Sequence, residues 1–471
     1  MKKLLLPILC MLIGQVSLAS SGDVKFGKIP VSYLEMQECD FYPSADAMLL
    51  LSSSNTFFEV NESSSATSVT FTKTVHKIFK VFNREGTDVA NQKIQLFNPE
   101  TEDGQVMMKI KAATYNLENG KVVATAVNKK EIYKSRSNEF QFAHTFAFPN
   151  VQNGSVLEVV YTFRSPYYMA SPFFFQEEIP SANSIVKFAI PEFITYQKLV
   201  VGAPLKYEYD DSNGTLMFRN NVFKTDEFEV KATNVLPLIE EPFQINKNIS
   251  QSRLECQISG FKFPNQTLRT SPNSYEGLSK KLKDASNFAG RLKTAGICRQ
   301  LGIDRKSVPT LEQAKEIFLK HQHNINWNGR HSALSSSYGP SALKQEESNS
   351  ATINLTLIAS LREAGFTVYP ILLRTAGNGF MHPVYAHIQG GDNVVAGLKL
   401  ENKLYLLDAS KTHPFGQLDP DCINGKGWML TGDFGEWVDL EAGSRHYLYP
   451  TISIWNGYSQ SICSRRTIFK Y

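Results

Sequence analysis

Residues 348–373 read SNSATINLTLIASLREAGFTVYPILL, and the fold is decided here. Ser348, Asn349 and Ser350 are residue types that open helices by accepting backbone N–H bonds. Behind them Ile353, Leu357, Ile358, Leu361 and Ala364 recur at three- and four-residue intervals, which predicts one apolar helix face. Gly365 then supplies a C-terminal stop. Phe366 to Leu373 reads as a buried strand running through Pro370. Farther on, Val394-Val395-Ala396 and Leu404 to Asp408 predict two antiparallel strands turning near Glu401-Asn402.

This helix–strand–hairpin order resembles the core of the transglutaminase-like superfamily, papain-like enzymes that work with a Cys, a His and an Asp. In that family the nucleophilic Cys begins the helix, where unpaired N–H groups favour a thiolate. The His lies on the next strand and takes the thiol proton, and the Asp on the neighbouring strand orients the imidazole. The resemblance places Ser350 at the Cys position and Asn393 at the His position. Asp408, in Leu406-Leu407-Asp408-Ala409-Ser410, matches the Asp motif.

Two of the three positions are replaced, and the replacements remove the chemistry. A serine hydroxyl is a weak nucleophile without an adjacent base, and an asparagine amide cannot take its proton. The expectation is a degenerate, catalytically inactive triad, with Ser350, Asn393 and Asp408 meeting in one cleft. An alternative keeps Ser350 as the nucleophile of an acyl-transfer enzyme, amidase or peptidase with a relocated base. His387, in the segment before Asn393 that also carries His382, is the candidate for that base. His321 and His323 follow a helix end and have no carboxylates nearby in sequence to complete a metal site.

At 471 residues the chain is long enough for two or three domains, and 42% hydrophobic residues allow packed cores. The formal net charge of +4 owes two units to Lys2 and Lys3, and no basic stripe points to nucleic acid. Lys2-Lys3, an apolar run from Leu4 to Ile13 and the small-x-small Ser17-Leu18-Ala19 read as a signal peptide cleaved after Ala19. Export to the periplasm or cell envelope follows, with no transmembrane segment after cleavage. Five cysteines remain (Cys39, Cys256, Cys298, Cys422 and Cys463), without a C-x-x-C pair. They read as buried or incidental thiols, and neither a zinc site nor a cofactor is expected.

From about Asp23 to Lys247 short strands and turns follow one another. Leu157, Val159, Tyr161 and Phe163 alternate with their neighbours, as do Phe228 and Val230. Asn119-Gly120 and Asn213-Gly214 are hairpin turn signals. Such a pattern predicts a β-sandwich. Asp40 to Ala47, and Ser165-Pro166-Tyr167 through Gln176, resemble the β-rich domain of unknown function that precedes transglutaminase-like domains in secreted bacterial proteins. The aromatics Tyr167, Tyr168, Phe173, Phe174 and Phe175 read as packing residues, with a stacking surface for carbohydrate or peptide as the alternative.

The predicted organisation is a multi-domain chain: signal peptide 1–19, all-β sandwich 20–247, linker or crossing segment 248–275, α+β transglutaminase-like (papain-like) domain 276–435, and tail 436–471. Thr310 with Gln313 predicts a capping box at a second helix. Trp327, in Ile325-Asn326-Trp327-Asn328-Gly329, is read as a core aromatic. The tail is either one closing hairpin or a truncated β-domain. The expected role is an inactive envelope module that binds a peptide, glycan or envelope protein, or that acts as a scaffold.

Overall fold

The structure is a computed structural model that describes residues 25–62, 67–98, 104–138, 141–166, 171–218, 221–239, 250–262, 269–270, 272, 274–290, 292–293, 295–304, 308–383, 386, 390–440, 447–455 and 458–466. The predicted signal peptide lies outside the described residues. No helix among them is long and apolar enough to cross a membrane. The described chain is mostly β-structure in several sheets, with few helices. It divides into two compact units, one of residues 1–167, 179–188 and 229–236 and the other of 168–178, 189–228 and 237–471.

In the first unit, helix α1 (Val31–Glu35) precedes β1 (Ala47–Glu62), β2 (Thr67–Val81), β3 (Asn91–Phe97), β4 (Val106–Glu118), β5 (Lys121–Ala126), β6 (Tyr133–Asn138), β7 (Gln141–Ala147) and β8 (Val156–Ser165). Antiparallel pairing runs β1–β2–β8–β4–β5, while β3, β7 and β6 form a separate three-stranded sheet. Asn119 (φ 50°) and Gly120 (φ 75°) turn β4 into β5, as a two-residue hairpin with both central residues at positive φ requires. Residues 26–45 cover one face, packing Leu34 and Cys39 on Met48, Ile78, Tyr115 and Val156.

Buried polar groups pin that cover. Lys80 Nζ donates to the Leu34 and Gly154 carbonyls, both at 2.8 Å, and burial lowers its pKa to about 8. Glu158 accepts from the Gly27 N–H at 2.9 Å and the Tyr115 hydroxyl at 2.7 Å, and lies 2.8 Å from His76 Nε2. A charge fully removed from water needs such partners to be tolerated.

In the second unit β9 (Phe173–Phe174) and β11 (Ile194–Val201) flank β14 (Arg253–Phe261), and β15 (Arg269–Thr270) pairs beside them. Within 248–275, where a linker or crossing segment is expected, nine residues form a paired strand with Leu254 and Cys256 buried. A correction falls on Asn213-Gly214. Both lie inside β12 (Tyr207–Phe218), where a Cβ on Gly214 would stand 1.8 Å from a Glu227 carboxylate oxygen. Here glycine serves close approach to a neighbour rather than a turn.

The site is carried by α2 (Tyr275–Asp284), α3 (Leu311–Asn324), α4 (Ser350–Glu363) and a five-stranded antiparallel sheet. Its strands are β18 (Thr367–Leu373), β19 (Asn393–Leu400), β20 (Lys403–Leu407), β21 (Lys426–Leu430) and β22 (Gly435–Asp439), in the order β20–β19–β18–β21–β22. Thr310 caps α3 by accepting from Gln313 N, but the Gln313 side chain donates to the Asp304 carbonyl, so only half of the capping box forms. Helix α4 buries every residue from Ser350 to Leu361 rather than one face. It packs on β18 and β19 on one side and on α3 on another, which suits a helix apolar almost all round. Gly365 (φ 96°) ends it, with the Phe366 N–H returning to the Leu361 carbonyl at 3.0 Å. Glu401 and Asn402, both at positive φ, turn β19 into β20. At the tail, the backbones of Tyr447–Trp455 and Tyr458–Arg466 pair as an antiparallel hairpin.

Candidate functional site

Three elements meet at the N-terminus of α4. Asn349 caps the helix by accepting from Thr352 N at 2.9 Å, which fixes Ser350 as its first residue. Asn393 begins β19, and Asp408 follows the last residue of β20. The Ser350 hydroxyl donates to Asn393 Oδ1 at 2.6 Å and accepts from the Ser332 N–H at 2.9 Å. Its backbone N–H donates to the Arg330 carbonyl at 3.1 Å, so that helix-end donor is occupied. Ser350, Asn393 and Asp408 are each 0% exposed, a buried cluster where the sequence places one cleft.

Asn393 does not reach Asp408 directly. Its amide donates to Cys422 Sγ at 3.0 Å, and that thiol lies 3.9 Å from Asp408 Oδ2. The other carboxylate oxygen accepts from Asn354 Nδ2 at 2.9 Å and from the Ser410 backbone N–H and hydroxyl at 3.0 and 2.6 Å. Asn354 also donates to the Val394 carbonyl at 3.0 Å and accepts from the Ala409 N–H at 2.9 Å. One side chain in the middle of α4 therefore ties the helix to both strands.

Cys422, Asn354 and Ser410 are residues that the triad reading leaves out. Cys422 sits in a short 3-10 turn, Pro420–Cys422, and among the described residues no imidazole is bonded to it. Burial, and then the Asp408 carboxylate, push its thiol well above the usual range, and the Asn393 hydrogen bond does not offset them. It is held protonated, the unreactive form. Cys39, Cys256 and Cys298 are also buried.

Among the described residues no histidine is bonded to Ser350, Asn393 or Asp408. His387 lies outside the described residues. The His382 carbonyl accepts from the Tyr275 hydroxyl at 2.6 Å. His323 is bound at Nδ1 to the Leu319 carbonyl, 2.7 Å away. His321 is fully buried between α3 and α4, with Nε2 2.7 Å from Ser360 Oγ. Ser360 spends its proton on the Leu357 carbonyl, so Nε2 carries the imidazole hydrogen, and Nδ1 has no partner. Trp327 is half-buried, donating to the Arg330 carbonyl at 2.9 Å with Lys411 Nζ 4.6 Å over its ring. It braces the segment that closes over Ser350.

Among the described residues the Ser350 hydroxyl has no basic partner. The hydroxyl hydrogen points at an amide oxygen that cannot become a base, and the carboxylate is occupied by neutral donors.

Residues 68–215 match DUF3857, a Domain of Unknown Function with a solved structure. The DUF3857 match covers strands of both units. Among solved structures the chain is similar to a "putative protease" from Parabacteroides distasonis, at 13% identity and a TM-score of 0.54, over 84% of this chain and 72% of that one. At that identity the likeness is one of fold. An M1 zinc metallopeptidase from Deinococcus radiodurans aligns at 6% identity and a TM-score of 0.19, over 52% of this chain and 54% of that one. Leukotriene A4 hydrolase from Saccharomyces cerevisiae aligns at 9% identity and a TM-score of 0.16, over 68% of this chain and 44% of that one. No curated protein matches the chain.

Proposed function

We propose that this chain is an exported, non-catalytic relative of transglutaminase-like hydrolases, working as a binding or scaffold module of the cell envelope. In this reading the leader ends at Ala19, a β-domain spans about 20–247, and a transglutaminase-like α+β domain spans about 276–435. The observation that carries the reading is the 2.6 Å bond from the Ser350 hydroxyl to Asn393 Oδ1. A nucleophile would offer that proton to a base. Here it locks two buried side chains together, and the protonated thiol of Cys422 fills the space between Asn393 and Asp408. The likeness to a protease fold supports a hydrolase ancestry. A peptide, glycan or envelope protein would bind at surfaces other than this sealed cluster.

A stability measurement separates a structural serine from a catalytic one. Ser350→Ala leaves the Ser332 N–H without its acceptor and takes one of two donors from Asn393 Oδ1, the Val394 N–H keeping the other, which is expected to cost about 1–3 kcal/mol. Urea unfolding followed by tryptophan fluorescence reads the loss. An active-site serine held at the expense of stability behaves oppositely. A more stable Ser350→Ala protein, with a hydrolase activity of the parent abolished, would overturn the reading.

A further inference from the structure

The other end of α4, about 20 Å along the helix from Ser350, borders a cavity of ≈ 670 Å³. It arises from how β18 pairs. That strand matches β19 along its whole length but meets β21 only at Ile371 and Leu372. Pro370 has no N–H to offer across the gap, and β21 ends at Leu430, so residues 367–369 have no strand partner on that side among the described residues. The cavity lies along this stretch, bounded by Phe366–Pro370 and Leu430–Gly432. Its volume falls within the range of ligand sites.

Arg362 reaches into it from the last turn of α4. Its Nε donates to the Val368 carbonyl at 2.9 Å, and its guanidinium lies 6.0 Å from the centre of the Tyr369 ring. No carboxylate pairs with it among the described residues, and both Nη groups are left for a ligand. Burial lowers its pKa from the ordinary arginine value, as expected for a desolvated cation without a counter-ion. Lys293, on the same wall, is exposed, whereas Lys283 is already bound to Asp433 at 2.6 Å. Lys283, Lys293 and Arg362 face a single lining carboxylate, Asp284.

We infer that this cavity receives the C-terminal carboxylate of a peptide, paired with the Arg362 guanidinium. The guanidinium fork matches a carboxylate in two parallel bonds.

The test uses the full-length chain and two fluorescein-labelled pools of randomised pentapeptides, one with free C-terminal carboxylates and one amidated, read by fluorescence anisotropy. The free-acid pool is expected to bind about tenfold or more tighter than the amidated pool. Lys293→Glu, an exposed change, should weaken the free-acid pool several-fold with thermal unfolding unchanged. Arg362→Gln should abolish the preference for free acid, and Arg362→Lys, which keeps the charge without the fork, should fall between. Equal binding of the two pools, or no binding of either, would overturn the inference. So would inorganic phosphate displacing the free-acid pool at a concentration equal to that of the peptide, since the site would then read only an anion.

Discussion

Asn354→Ala is expected to lower the stability of the helix-bearing unit by about 3–5 kcal/mol, because it leaves several buried groups unpartnered at once. The Val394 carbonyl and the Ala409 N–H lose their bonds to this side chain, and Asp408 loses one of its donors. Asn354 is 0% exposed, so water cannot replace those bonds without opening the core. A leucine of similar size should do no better, since packing is not what the position supplies. The four tryptophans, Trp327, Trp428, Trp437 and Trp455, all lie in this unit, so urea unfolding by tryptophan fluorescence isolates it. A loss below about 1 kcal/mol would mean that the amide is not the tie between α4 and the two strands.

The second large effect is acid lability through His321. Its folded pKa is lowered to about 3 from the ordinary 6.5 by burial. Below 6.5 the unfolded chain takes up a proton that the folded chain refuses. The stabilising contribution is therefore fully present above pH 6.5 and is lost progressively as pH falls toward 3. Between pH 7 and pH 4.5 this amounts to about 3 kcal/mol. His321→Phe preserves most of the volume, and Ser360 keeps its own bond to the Leu357 carbonyl. The variant should flatten the acid limb of the stability profile by about that amount. Parallel profiles for parent and variant would show that another group governs acid unfolding.

The parts of this fold that the sequence reveals are those with local signals. Asn349 at the cap, Gly365 at the stop and Glu401-Asn402 at the turn each mark a boundary by backbone chemistry, and the elements begin and end there. Asn354 carried a signal too, an amide between Ile353 and Leu355 inside an apolar helix, but its partners lie 40 to 55 residues away. Cys422 had none, since its place between Asn393 and Asp408 is made by a loop returning after β20. Strand β14 was obscured by neighbouring Ser, Asn and Pro residues, although Leu254 and Cys256 alternate with charged residues. Gly214 looked like a turn because the dipeptide is the same whether the backbone bends or another strand crowds it.

In the proposed reading Ser350 is a buried structural residue and not a nucleophile. The most direct test is to treat the full-length native protein with a fluorophosphonate probe, beside its Ser350→Ala variant, and to locate any adduct by peptide mass spectrometry. A sealed hydroxyl donating to an amide predicts no adduct at residue 350 and the same labelling in both proteins. An adduct on Ser350 in the parent, absent from the variant, would contradict it.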